Sequence, residues 1–433
     1  KTIKEIFDKS TKEYEKEIFM LEKFDHKQPF TEITYSEFRK DVIGLGTGLN
    51  KILGLKDKRV VIIGENTYHW YVSYMAMLCG TGIAVPVDKE LPANEIENVV
   101  KRAKASAVIY STKKKEVIKK VKENLPEVEY FIEMNSDATI DGKDVGVNYV
   151  IDQGKRIVDS GDNSYMEIEI DPEEFKVLIF TSGTTSNAKG VMLCNKNLAQ
   201  NVNVVTAYVY LDHNDRLFSV LPLHHTYEST IGFLLPVAVG ASIAICEGLK
   251  HIVPNLKETK PTAMLAVPLL IESLYKKIND NIVKSKKDKL VKSMIHLTNA
   301  LKGVNIDVKR KVFKEIYDNI GGNIRIIVSA AAPIDPKVGK WLQDIGITFL
   351  QGYGLTETAP IAALTPEFDT RIGSAGKAVT CAEIKISNPN ENGEGEVLIK
   401  SDTLMLGYYE DEKATKKVIQ EINGERWFNA EDI

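Results

Sequence analysis

Short apolar runs recur along this chain, each separated from the next by a longer stretch of helical periodicity. RVVIIG (Arg59 to Gly64), GIAVPV (Gly82 to Val87), SAVIYS (Ser106 to Ser111) and FKVLIF (Phe175 to Phe180) are of this kind. So are ASIAIC (Ala241 to Cys246), TAMLAV (Thr262 to Val267) and IRIIVSA (Ile324 to Ala330). A strand that is apolar along its whole length leaves no face for water, so it belongs in a sheet covered on both sides. The intervening helices supply that cover, which predicts an α/β protein with parallel strands. With 433 residues there is material for several units. One α/β subdomain is expected over 1–170 and a second, carrying a phosphate loop, over 171–360. After Thr365 the pattern changes. EIKISNPNENGEGEVLIK alternates apolar and polar residues around a Pro/Asn/Gly turn, so a smaller β-rich unit containing a hairpin is expected over 361–433.

Charge and cysteine usage narrow the function. A net charge of −4 argues against nucleic acid as a main partner. Cys79, Cys194, Cys246 and Cys381 form no CxxC pair, so a zinc cluster or disulfide framework is not expected and a reducing cytoplasm fits. Lys1 to Ser10 is charged, unlike a secretory leader. The longest apolar run, Ile231 to Cys246, is broken by Pro236 and Gly240 and falls short of the ~20 residues of a membrane span. One segment, 276–314, holds twelve basic residues against three acidic ones. Ile282, Leu290, Val291, Met294, Ile295 and Leu297 give it amphipathic helical spacing. It reads either as a solvated helical face or as a peripheral contact with an anionic membrane surface.

The chemistry concentrates in FTSGTTSNAKGVML, Phe180 to Leu193. Thr181, Ser182, Thr184, Thr185 and Ser186 surround Gly183, and Lys189 and Gly190 follow. Hydroxyls, glycine and one lysine suit a loop that wraps phosphates. A Walker loop reads GxxxxGK[ST]. Counted from Gly183, this chain has Ala188 where that pattern has its second glycine. Gly190 stands where it has a metal-binding hydroxyl. The loop follows a predicted strand and is expected to lead toward a helix starting near Asn195.

QGYGLTET, Gln351 to Thr358, supplies what such a loop lacks. Tyr353 offers a ring to stack on a base and Thr356 a hydroxyl for a phosphate. Glu357 adds a carboxylate for a hard cation such as Mg²⁺. Gly352 and Gly354 flank the tyrosine.

TSGTTSNAKG resembles the signature loop of the adenylate-forming, AMP-binding superfamily, close to [YF]TSGTTGxPKG, with Ser186 and Ala188 replacing Gly and Pro. YGLTE resembles the family's YGxTE without departure. LPLHHTYE, Leu221 to Glu228, resembles the PLxHxxE pattern of its fatty-acid branch, with His225 on the family's histidine and His224 read as a hydrogen-bonded core residue. SAAAP, Ser329 to Pro333, stands where relatives have SGGAP. GSAGKA, GEGEVLIK and LGYY then follow in family order. RWFNAEDI resembles W[FY]xTGD, with Ala430 and Glu431 in place of Thr-Gly and Asp432 on the ribose-binding aspartate.

That resemblance implies a role for each residue. Thr181, Ser182, Gly183, Thr184, Thr185 and Lys189 would cradle the β- and γ-phosphates of ATP. Glu357, with Thr184, would hold Mg²⁺, and Thr356 would bind phosphate. Ala331, Ala332, Gly352, Tyr353 and Gly354 would hold adenine, Asp432 the ribose, and His225 would border the acyl pocket. The implied reaction is ATP-dependent activation of a fatty acid to an acyl-adenylate, then transfer to coenzyme A or a carrier-protein thiol. The family's mobile C-terminal domain is read as absent, and the end at Ile433 as a cut. On that reading adenylation is slow and thioester formation negligible. A non-catalytic nucleotide or acyl binder and, further off, a P-loop ATPase are the alternatives.

Overall fold

The computed structural model describes residues 1–181, 188–304 and 306–432. Within them the strands form three sheets. The first runs Gly407–Tyr408, Gly190–Cys194, Phe175–Phe180, Gly82–Val87, Lys58–Ile63, Ala107–Tyr110, Tyr130–Glu133, Asp144–Gly146. The second runs Lys377–Ala378, Ile361–Leu364, Thr348–Gly354, Ile326–Ser329, Ala263–Ala266, Arg216–Ser219, Ser242–Ile245, Ile18–Glu22, Thr31–Thr34. Each apolar run picked out above is a strand of one of these two sheets. Their centres are parallel, for example Val61 beside Val85 and Val108, and Ile327 beside Met264 and Phe349. The third sheet is antiparallel and four-stranded, ordered Ala382–Ser387, Glu396–Ser401, Glu425–Asn429, Ile419–Ile422. Its first two strands are the expected hairpin, in register from Ala382↔Ser401 to Ser387↔Glu396. The protein is therefore α/β, two layered sheets with a smaller β-rich part.

Sheet membership does not follow chain order. Ile18–Glu22 from near the N-terminus joins the second sheet beside Ser242–Ile245, and Gly407–Tyr408 from near the C-terminus closes an edge of the first. Helices fill the space between. Tyr35–Lys51 and Val147–Asp159 cross so closely that a Cβ on Gly154 would lie 1.8 Å from the Gly44 carbonyl oxygen, so only glycine fits there. The two sheets meet through side chains as well as core. Asn66 donates to Ser219 Oγ (3.0 Å) and to the Leu221 carbonyl (2.8 Å).

One expectation is corrected here. The phosphate loop leads into a strand, not toward a helix. Gly190–Cys194 turns back antiparallel along Phe175–Phe180, with Phe180 opposite Gly190. The helix Asn195–Val205 begins only at the far end of that strand, roughly 16 Å further on. Its N-terminal N–H groups therefore do not face the loop.

Candidate active site

A cavity of about 560 Å³ opens where the first sheet, the second sheet and the strand Glu425–Asn429 converge. Thr181, Lys189, His225, Thr356 and Glu357 all line it, although up to 176 positions separate them in sequence. Each arrives by a local device. Thr181 and Lys189 close the base of the loop, the Thr181 N–H donating to the Lys189 carbonyl at 2.9 Å. The intervening candidates Ser182, Gly183, Thr184 and Thr185 lie outside the described residues.

Glu357 is set by the turn after Thr348–Gly354. Gly354 packs so tightly that a Cβ would sit 1.7 Å from the Pro360 carbonyl oxygen, which only glycine permits. Beyond it the short helix Thr356–Thr358 is pinned by the Leu355 N–H donating to Thr358 Oγ1 at 2.9 Å. Asn201, buried on Asn195–Val205, donates to the Thr358 and Ile361 carbonyls and accepts from the Ile361 N–H. The result is a buried Glu357 whose Oε1 accepts from the Tyr408 hydroxyl at 2.8 Å. Burial first, and then the Glu357 charge, push the Tyr408 phenol well above its ordinary pKa. Lys189 Nζ stands 4.9 Å from the centre of the Tyr408 ring. Phosphate-loop lysine, tyrosine and carboxylate thus form one chain across the cavity.

Opposite them lie His224 and His225, ring centres 4.0 Å apart. Burial lowers both pKa values, His224 to about 4, with the neighbouring His225 the next contributor to that shift. Both are therefore neutral imidazoles at neutral pH. His224 is not an enclosed core residue as expected; it lines the cavity with Asp88 Oδ2 3.8 Å from Nε2.

The nucleoside candidates gather less tightly. The Tyr353 hydroxyl donates to Asp432 Oδ2 at 2.6 Å, bringing the adenine and ribose candidates to one corner. Ala331 and Ala332 are exposed just past the strand Ile326–Ser329, whose Ser329 pairs with Gln351 next to Gly352. These residues lie beside the cavity and do not line it. Ala331 (φ +75°) and Glu431 (φ +57°) both hold left-handed backbone, the conformation glycine takes at least cost. The Glu431 charge is met by Lys417 at 2.5 Å, which holds its carboxyl below the usual range.

Sequence reasoning missed Tyr408, Asp88 and Asn201. Tyr408 lies in the LGYY segment, and a search for a partner to the Glu357 carboxylate would have pointed there.

A Mg²⁺ ion fits what is present. Glu357 offers a hard oxygen donor facing the cavity, and Mg²⁺ commonly takes one or two carboxylates and completes its shell with phosphate and water.

The fold and the site together define a nucleotide-dependent acid-activating class. The family model for AMP-binding enzyme matches residues 7–409, and the chain belongs to that family. It is 26% identical to the long-chain-fatty-acid–CoA ligase FadD15 of Mycobacterium bovis over 93% of this chain and 67% of that protein. It is 24% identical to a chloroplastic long-chain-fatty-acid–[acyl-carrier-protein] ligase, AEE15, of Arabidopsis thaliana, over all of this chain and 66% of that one. It spans about two-thirds of the length of such relatives. Among solved structures, the long-chain-fatty-acid–CoA ligase FadD1 of Archaeoglobus fulgidus superposes with a TM-score of 0.76 at 18% identity, over 99% of this chain and 80% of that one. The N-terminal domain of FACL13 from Mycobacterium tuberculosis gives 0.73 at 18% identity, with both chains fully covered.

Proposed function

We propose that this chain forms the adenylating site of a fatty acid–thiol ligase. The observation that carries the reading is the Lys189–Tyr408–Glu357 chain facing the His224–His225 pair across one cavity. A carboxylate attacking the α-phosphorus of ATP needs alignment and charge neutralisation more than covalent help. The acid's oxygen forms the new P–O bond while the bond to the departing pyrophosphate breaks, leaving acyl-AMP. Lys189 would sit against the pyrophosphate oxygens, its ammonium held by the Tyr408 ring. Glu357 would hold Mg²⁺, which when bound offsets phosphate charge. Tyr353 and Asp432 would take the nucleoside. The neutral imidazole of His225 would border the acid without competing with Lys189 for its charge. A thiol, of coenzyme A or a carrier protein, would then displace AMP.

A second cavity, of about 1060 Å³, supports a long acyl chain as substrate. It begins at Leu221 and Pro222, three residues before the histidine pair, and runs past Ile245, Val267, Leu270 and Leu274. That volume is on the scale of a complete ligand pocket.

Peripheral membrane contact through 276–314 is part of the same reading. Val291, Met294 and Ile295 of the helix Asp288–Lys302 pack inward, while Val283, Leu290 and Leu297 are exposed among lysines. Some of the charge is spent internally, Lys287 on Glu315 (2.7 Å) and a buried Lys309 on Asn299 (2.6 Å). No helix of the described residues is long and apolar enough to cross a membrane. Sedimentation with anionic vesicles that weakens as salt rises is the expected result; binding indifferent to lipid charge and salt would remove this contact.

The core reading is tested by calorimetric titration with a non-hydrolysable acyl-adenylate analogue. It should bind at least about a hundredfold more tightly than AMP, as reaction-state mimics do. Equal affinity for the two would leave a nucleotide binder and no acid-activating site.

A further inference from the structure

Away from the adenylating site, three donors converge on the rim of the larger cavity. The strands Ile18–Glu22 and Ser242–Ile245 run parallel and end side by side. The turn after the first carries His26. The second continues into Glu247, and the short 3₁₀ turn Leu249–His251 then presents His251. His26 Nδ1 lies 2.6 Å from Glu247 Oε1, the two imidazoles meet edge to face at 4.8 Å, and one ligand atom from each residue lies within 4.8 Å of the others. We propose that His26, Glu247 and His251 form a binding site for a borderline divalent cation, Zn²⁺ first among them.

The donor set is the argument. Two imidazoles and one carboxylate, with a fourth position open to water, is a combination zinc takes readily and Mg²⁺ does not. The carboxylate is also held in place for the task. Asn255 donates to Glu247 Oε2 at 2.7 Å while its own Oδ1 accepts from the Glu247 N–H at 2.9 Å. A ligand fixed at both ends loses little freedom when a metal binds. Local charge agrees. Lys23 stands 3.9 Å from Glu247 but lies closer, at 2.7 Å, to Glu258. Those three groups sum to a single negative charge, available to a cation. Exposed His26 gives the ion a way in, and half-buried His251 gives it a floor. Bound there, the ion would tie the turn bearing His26 to the 3₁₀ turn and so stiffen one wall of the cavity. Without it, the His26–Glu247 contact is an ordinary surface ion pair, worth little.

The test uses tag-free protein stripped of metal, titrated with Zn²⁺ against a chromophoric chelator and separately with Co²⁺ followed by visible absorption. One equivalent of metal, a tetrahedral cobalt spectrum and a rise in melting temperature with Zn²⁺ are expected. His26→Ala and His251→Ala should each weaken binding by about tenfold or more, whereas His224→Ala should not. His26 is exposed, so its variant should melt like the parent without metal, which separates lost ligation from lost folding. Absence of a one-equivalent site, or a cobalt spectrum that survives in the doubly substituted His26→Ala/His251→Ala protein, would overturn the proposal.

Discussion

The Tyr408 hydroxyl donates to Glu357 Oε1 at 2.8 Å while its ring faces the Lys189 ammonium at 4.9 Å. One side chain thereby holds both the anion and the cation of the site. Tyr408→Phe deletes the hydrogen bond and keeps the ring. A hydrogen bond to a charged group is worth about 1.5–3 kcal/mol, so adenylate formation should fall by about 10- to 100-fold. Tyr408→Ala, which also frees the lysine, should fall further. Steady-state kinetics of the two variants check the order; equal losses would mean that the hydroxyl does nothing.

Glu228 should make the protein less stable as pH rises. It is buried, its Oε1 accepts from Ser219 at 2.6 Å, and Oε2 has no partner among the described residues. Burial raises its pKa to about 8. The folded value lies above the unfolded one, so its contribution is fully present below about 4.5 and is lost as pH rises through 8. Glu22, raised to about 7 by burial, acts in the same direction. Glu228→Gln removes the first effect alone. Urea denaturation should show the variant gaining on the parent between pH 5 and pH 8, by on the order of a few kcal/mol. A gap that stays constant with pH would mean that Glu228 is not the titrating group.

Asn201 ties the helix Asn195–Val205 to the turn bearing Glu357 through three hydrogen bonds. Asn201→Ala leaves buried backbone groups unpaired and should cost about 2–4 kcal/mol. The exposed neighbour Asn203 provides the comparison, and its alanine variant should be near neutral. Chemical denaturation of both variants decides it.

Ala331 holds φ +75° where the family pattern has glycine. Left-handed backbone costs a residue with a Cβ about 1–2 kcal/mol, and glycine loses about 0.5–1 kcal/mol in chain entropy. Ala331→Gly should therefore be neutral or stabilising by up to about 1 kcal/mol in thermal unfolding. A clear loss would mean that the methyl group makes contacts that outweigh the backbone strain.

These residues also show what the sequence could and could not reveal. Apolar runs such as RVVIIG and TAMLAV announce buried strands because a covered strand has no other composition open to it. Lys189, Thr356 and Glu357 were legible because a phosphate loop and a metal carboxylate each need a short local pattern. The strand Gly190–Cys194 was not, since its pairing with Phe175–Phe180 competes with the helix that follows, and local propensity does not decide between them. Tyr408 and Asn201 act at 51 and 157 positions from their partners, and the His26–Glu247 pair spans 221. Such contacts arise only once strands distant in sequence end at the same level of a sheet.

The account rests on acid activation, and one assay addresses it directly: pyrophosphate released from ATP and Mg²⁺, with carboxylic acids from acetate to palmitate. It predicts release that requires the acid, rises toward long chains and yields AMP in equal amount, whatever the rate. Release indifferent to the acid, or ADP with phosphate in place of AMP with pyrophosphate, would contradict it.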